Sequence, residues 1–237
     1  MLFSSPKFIL LFLPIVFSVY FLLNLKCKNN AGKLFLVIAS LFFYGYWNRE
    51  YLLILITSVI VNQIFSKFLD ENHLWSVKFL SRKTGLVLAI IFNLSLLGYF
   101  KYYDFCISNI NAIFSKNFDL LNILLPLGIS FFTFQQIAYL VDIYRKELKS
   151  SNLLSHSLFI VFFPQLIAGP IVHFKEMMPQ FASDKNSNIN WNNILLGLCT
   201  FSIGFFKKIV IADTLSIPVD KAFSNIYILG FWDAWTA

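Results

Sequence analysis

Side chains able to do acid–base chemistry inside an apolar environment are few in this sequence, so each can be weighed by its spacing. Gln135, Tyr139 and Asp142 stand at i, i+4 and i+7, which places them on one face of a helix. In an apolar segment such a face turns to the bundle interior and often marks a pathway. Interhelical hydrogen bonding alone accounts for Gln135 and its neighbour Gln136, and equally for Asn62, Gln63 and Asn93. Asp142 has Lys146 one turn on and Arg145 close by, so an interfacial ion pair at a helix end is its plainer reading. His73 lies in a polar loop, and His156 near the start of an apolar segment suits the interface. His173 follows Gly169-Pro170 and is expected at the headgroup region or a cavity mouth. Cys27, Cys106 and Cys199 are odd in number and far apart, which supports neither a disulfide frame nor a zinc site. The sequence carries no carboxylate pair, glycine-rich phosphate loop, metal-spaced cluster or nucleophile elbow.

The elements that must position these residues are those of a membrane protein. Of 237 residues 58% are hydrophobic and 13% charged, about half the ~25% charge of a soluble domain. The apolar excess runs around the whole circumference of most segments, which excludes a soluble enzyme, a disordered tail and a disulfide-stapled secreted domain. The reading is all-α and polytopic in the lipid bilayer. Spans are predicted over about 8–24, 34–47, 51–68, 84–100, 120–141, 153–169 and 191–212. The second closes on Tyr44, Tyr46 and Trp47, and the fourth on Tyr99, Tyr102 and Tyr103, as aromatic belts do. The first has a single basic residue, Lys7, before it and no small-residue cleavage site after it, so it reads as a retained helix rather than a signal peptide. Residues 226–237 form an incomplete segment too short to cross, so residues 1–237 are expected to be the N-terminal part of one larger, truncated membrane domain.

The net charge is +7. The basic residues sit in short connections, which speaks for topology and not for nucleic acid. Placing Lys26–Lys33 and Lys67–Lys83 in the cytoplasm puts the N-terminus and Lys101–Lys116 outside, and Arg145–Lys149 inside again.

Two predicted spans are interrupted, one by Leu125-Pro-Leu-Gly128 and one by Phe163-Pro-Gln-Leu-Ile-Ala-Gly-Pro170. Proline removes a donor and clashes with the preceding turn. In lipid the freed carbonyls survive only where protein or a wet cavity surrounds them. Re-entrant elements around a cavity are one reading and plain proline kinks the other. The candidate lining is Gln135, Gln136, Tyr139, Asp142, Gln165, Gly169, Pro170 and His173. After the second break, Ile171, Phe174, Met178 and Phe181 fall at helical spacing. They predict a short interfacial helix over 171–181, with Pro170 as its first residue and Pro179 limiting its length.

The wording of the sequence adds a resemblance. Ser40-Leu-Phe-Phe-Tyr-Gly-Tyr-Trp-Asn48, Leu125-Pro-Leu-Gly-Ile-Ser-Phe-Phe-Thr-Phe-Gln-Gln136 and Phe163-Pro-Gln-Leu-Ile-Ala-Gly-Pro-Ile171 closely resemble the membrane-bound O-acyltransferase family. Tyr139-Leu-Val-Asp-Ile-Tyr-Arg145 and Gly204-Phe-Phe-Lys-Lys-Ile-Val-Ile-Ala-Asp213 fit the same pattern in register. The branch they look like is the bacterial one that acylates polysaccharides, including alginate O-acetyltransferases and teichoic-acid D-alanyl transferases.

That resemblance implies a ring of transmembrane and re-entrant helices around a central funnel in a bacterial inner membrane. It implies transfer of an acyl group, acetyl in the first instance, to hydroxyls of an exported polysaccharide. The donor would be cytoplasmic acetyl-CoA, and an extracytoplasmic partner protein would complete the transfer. No bound cofactor or metal is expected. The family's catalytic histidine lies in a Trp-His motif downstream of residue 237, so no catalytic residue is expected in this chain and the fragment is expected to be silent alone. A second departure is His173, three residues after Gly-Pro, where relatives usually carry arginine. A neutral imidazole would then replace a fixed charge. From another class, a transporter or lipid flippase with a broken-helix midplane site fits the same two interruptions, although no internal repeat is visible. A scaffold for a secretion complex fits the composition but leaves both breaks unexplained. Polymer, acyl group and partner are not written in the sequence.

Overall fold

The computed structural model describes residues 3–26, 29–70, 81–166, 169, 172–183, 189–224 and 230. It is all-helical, and no strand occurs among the described residues. Among the described residues four helices are long and apolar enough to cross a membrane: Phe8–Leu25, Arg49–Leu69, Arg82–Phe114 and Trp191–Ser224. The chain divides into two compact units, one of Ile15–Asn188 and one of Leu2–Pro14 with Ile189–Ala237.

The first unit is built around one helix. α1 is Leu13–Lys26, α2 Asn29–Gly45 and α3 Arg49–Leu69. The Asn48 side chain opens α3 by accepting from the Glu50 N–H, while Glu50 in its first turn and Lys67 in its last match the helix dipole. α4 (Arg82–Leu97), capped by Ser81, passes through a π-helical turn at Gly98–Tyr102 into α5 (Tyr103–Phe114). α6 is Ile129–Tyr144, α7 Leu153–Val161, α8 Phe163–Leu166 and α9 Phe174–Ala182. α3 touches α2, α4, α6 and α7, and α9 lies against α7 and α2.

Polar pairs fix the packing inside this apolar frame. Asn62 and Asn93, both fully buried, exchange amide hydrogen bonds of 2.6 and 3.1 Å between α3 and α4. The Gln136 amide donates to Ser58 Oγ at 3.1 Å between α6 and α3. Arg82 donates to the carbonyls of Leu69, Ile143 and Tyr144 and lies over the Tyr144 ring. One guanidinium thereby closes the last turns of α3 and α6, at the negative ends of both helices.

Several predicted boundaries move. The fourth span does not stop at residue 100. The helix runs on to Phe114, because no glycine or proline interrupts Tyr103–Phe114, and it ends where Ser115 turns left-handed at φ 49. The fifth element is not a span over 120–141: its helix starts at Ile129, after Gly128 at φ 72, and ends at Tyr144. Residues 117–128 form an irregular strap whose backbone is held by side chains. Asp104 accepts from the N–H groups of Leu121 and Ile123, and Asn111 bonds both ways with Phe118. Tyr51 donates to the Leu124 carbonyl and Tyr44 to that of Leu127. The sixth element is not a span over 153–169 either. α7 has 9 residues, which rise ~14 Å, and Phe162 at ψ 110 separates it from the single turn α8.

The second predicted span starts earlier, at Asn29, and ends at Gly45. Tyr46 and Trp47 are each 54% exposed as a belt requires, but Tyr44 is buried. The interfacial helix begins at Phe174 with His173 as its N-cap, so Pro170 is not its first residue; Pro170 itself lies outside the described residues. Its buried residues are Phe174, Met177 and Met178, and it carries Pro179 within it.

In the second unit α10 (Trp191–Phe206), capped by Asn190, continues through a π-helical turn, Lys207–Ala212, into α11 (Asp213–Ser224). This helix passes the predicted end at 212, and Lys208 pairs with Asp213 across the junction. Of the incomplete segment 226–237 only residue 230 is described.

Candidate functional site

At each chain break a side chain of α2 partners a backbone group that no helix satisfies. At the second break the Phe163 N–H donates to Ser40 Oγ of α2 at 3.1 Å, both residues being buried. The Gln165 amide donates to the Phe159 carbonyl at 2.7 Å, and the Gly169 N–H to the Gln165 carbonyl at 3.1 Å. A Cβ on Gly169 would meet the Gln165 Cα at 2.4 Å, so only glycine fits this turn. At the first break Tyr44 holds the carbonyl of Leu127. Ser40 and Tyr44 sit one turn apart on α2, so the three strings carrying the family resemblance meet in space.

The polar face of α6 is buried as drawn from its spacing, but its members do different work. Tyr139 stacks on His156 of α7 (ring centroids 4.7 Å apart, planes at 17°) and packs on Phe174 of α9 at 4.9 Å. Its hydroxyl shares a 2.8 Å hydrogen bond with Ser151 Oγ and accepts from the Ser151 N–H. Asp142 Oδ2 lies 3.6 Å from His173 Nδ1. Its expected partner Lys146 is not one helical turn on, since α6 has ended at Tyr144 and Lys146 stands at φ 65. Gln135 is buried with no partner for its Oε1 among the described residues. Gln136 faces α3 instead, and Gln165 faces the end of α7.

Tyr139, Asp142 and His173 are therefore brought together through α9, whereas Gln136, Gln165 and Gly169 tie the frame. A cavity of about 490 Å³ opens nearby, lined by Lys33, Ser151, Ser155, Phe174, Lys175 and Met178 among others, and by none of the candidates among the described residues. Beside it Lys175 pairs with Glu147 at 3.0 Å. Lys175 holds the Glu147 carboxyl below its ordinary value through that bond and its charge, and Glu147 in return raises Lys175.

His156 is the residue whose place the sequence misses. It is fully buried, with neither ring nitrogen partnered among the described residues. Its signal was the unbroken Leu158-Phe-Ile-Val161 run after it, which sets the imidazole within an apolar helix. Ser40 carried no signal, since its partner is a backbone group 123 residues away. His73 lies outside the described residues. Among those described, no three His, Cys, Asp or Glu side chains gather as a metal site.

Long apolar helices, two broken elements and an interior of paired amides define an integral, polytopic α-helical membrane protein. Residues 34–230 match the family model of MBOAT, the membrane-bound O-acyltransferases, and the chain belongs to that family. It is 43% identical over 261 residues to a peptidoglycan O-acetyltransferase of Helicobacter pylori, covering 99% of this chain and 49% of that protein. It is 35% identical over 229 residues to a probable alginate O-acetylase of Pseudomonas aeruginosa, covering 94% of this chain and 42% of that protein. A probable alginate O-acetylase of Azotobacter vinelandii is 33% identical, at 94% and 44% coverage. The chain thus spans about half the length, or less, of these relatives. No solved structure matches it.

Proposed function

We propose that the protein to which this chain contributes is a polysaccharide O-acetyltransferase of the bacterial inner membrane. It passes an acetyl group from a cytoplasmic donor, acetyl-CoA, toward hydroxyls of a cell-surface polymer, with an extracytoplasmic partner completing the transfer. The observation that carries this reading is the match over residues 34–230, joined to relatives whose names state O-acetyl transfer on peptidoglycan or alginate.

In this reading the chain supplies the frame and the catalytic base comes from outside residues 1–237. Taking the proton from an acceptor hydroxyl is work for a histidine titrating near neutrality. His156 is sealed in an apolar core, and His173 stands at an exposed helix start beside Asp142. The test is to express this chain and the full-length gene product separately in a strain lacking the native gene, then measure ester-linked acetyl on the exported polymer. The full-length product restores acetylation and residues 1–237 alone do not. Restoration by the chain alone would move the chemistry to one of its own histidines. Failure of the full-length product with every candidate polymer would overturn the reading.

A further inference from the structure

The cavity beside α9 is outside everything the acyl-transfer reading uses. Lys33, near the start of α2, reaches into it half-buried, with no carboxylate partner among the described residues. Lys175 reaches it from α9, and the first turn of α7, with Ser155, supplies the positive end of a helix dipole. Ser151 adds a hydroxyl, while Phe174 and Met178 make an apolar wall. The neighbouring loop is also basic, with exposed Arg145, Lys146 and Lys149 against Glu147. Glu147 takes up one side of the Lys175 ammonium and leaves its other donors open, while Lys33 has no carboxylate partner among the described residues. All these groups lie at the bundle end that carries the basic connections, where basic residues near an anionic leaflet gain most.

A cationic rim on an apolar wall at headgroup depth complements an anion joined to hydrocarbon. We infer that this cavity seats the headgroup of an anionic phospholipid from the surrounding leaflet. Its phosphate lies between Lys33 and Lys175, and its glycerol and upper acyl chain lie along Phe174 and Met178. A soluble phosphate compound would leave the apolar wall without a partner, and a zwitterionic lipid would bring its own cation against Lys33. The inference stands independently of acyl transfer.

Native mass spectrometry of the full-length protein, released from neutral detergent after equilibration with phosphatidylglycerol or phosphatidylcholine, tests it. The wild type retains phosphatidylglycerol preferentially. Lys33→Ala lowers that retention about fivefold, and the Lys33→Ala/Lys175→Ala pair about twenty-fivefold. Lys33→Arg and a change at remote, exposed Lys116 leave it intact. A second measurement needs no variant: Lys33 of the wild type, in nanodiscs, should react with an amine reagent at least fivefold more slowly in phosphatidylglycerol than in phosphatidylcholine. Unchanged retention in the double variant, equal retention of the two lipids, or equal Lys33 reactivity would overturn the site. Displacement of the lipid by coenzyme A or inorganic phosphate at matched phosphate concentration would assign the cavity to a soluble compound instead and overturn it too.

Discussion

Glycine-to-alanine substitution should change sign along this chain according to what the new methyl group meets. At Gly98, in a helical turn at φ −60, nothing lies within 4 Å of a built Cβ. Alanine there removes the conformational cost of glycine and should stabilise by about 0.8–1.0 kcal/mol. At Gly169 the methyl would stand 2.4 Å from the Gln165 Cα, 2.7 Å from its Cβ and 3.0 Å from its carbonyl oxygen. Carbon contacts are comfortable at ~3.5–4.0 Å, and the nearest atom is backbone, so no rotamer change relieves the overlap. The turn must open, at an overpacking cost of about 1–3 kcal/mol. The two variants should therefore differ by about 2–4 kcal/mol, a ratio of roughly 30 to several hundred in the folding equilibrium.

Gly32 and Gly85 grade the mechanism. A Cβ at Gly32 meets the Asn24 side-chain oxygen at 2.1 Å, and one at Gly85 meets the Phe68 ring at 2.3 Å. Both obstacles are side chains that can swing, so both variants should fall between the extremes. A second change, Asn24→Ser, should relieve Gly32→Ala, whereas no side-chain truncation should relieve Gly169→Ala. Unfolding of the protein in mixed micelles with rising dodecyl sulfate, followed by tryptophan fluorescence, gives the order directly. A Gly169→Ala protein as stable as wild type would refute the close turn and with it the described geometry of the second break.

Three further outcomes follow from the same contacts. Ser40→Ala strips the acceptor from the buried Phe163 N–H and should cost about 1–3 kcal/mol in the same unfolding assay, with Ser40→Thr retaining most of it; equal stability of the alanine variant would deny that the hydroxyl closes the break. A double-mutant cycle over Asn62→Leu and Asn93→Leu should give a coupling of about 0.6–2 kcal/mol, and additive effects would show that the amide pair carries no mutual stabilisation. The Glu147–Lys175 link has its own pH window. Glu147's lowered value makes its contribution present above the ordinary carboxylate value of about 4.3 and lost as pH falls through the lowered one. Lys175's raised value makes its contribution full below the ordinary lysine value and lost as pH rises through the raised one. Hydrogen exchange over Phe174–Ala182, corrected for intrinsic rates, should accelerate below that acidic edge in wild type but not in Glu147→Gln; parallel profiles in the two proteins would rule the link out as the cause.

Hydropathy made the helices legible and their ends much less so. Phe8–Leu25 and Arg49–Leu69 lie within a few residues of their prediction, since each has polar flanks that stop it. Arg82–Phe114 outruns its predicted end at residue 100 because an aromatic-rich turn reads as an interface whether or not the helix stops there. Residues 120–128 read as helix for the opposite reason. Leu120, Leu121, Leu124 and Leu125 are as apolar as any span, yet Pro126, Gly128 and the acceptor groups of Asp104 hold them as a strap. Tertiary partners decided both cases, and those partners are far away in sequence. The helical face of Gln135, Tyr139 and Asp142 was legible as a face. That Tyr139 stacks on His156 was not, because a ring contact between two helices leaves no period in either one.

The family resemblance and the physics of the breaks have one cause. In hydrocarbon a freed N–H or carbonyl costs several kcal/mol unless protein supplies its partner. The Phe163 N–H and the Leu127 carbonyl can keep their irregular geometry only while Ser40 and Tyr44 stand one turn apart on α2. A change in any of these strings strands a polar group belonging to another, so the three are bound to one another more tightly than apolar neighbours that exchange freely. An unbroken helix would need none of this. The sequence instead commits Ser40, Tyr44, Tyr51, Gln165 and Gly169 to holding two elements short of a full crossing. Their shared effect is to end helices inside the protein, where side chains of neighbouring elements give the freed backbone groups the partners that lipid would not supply.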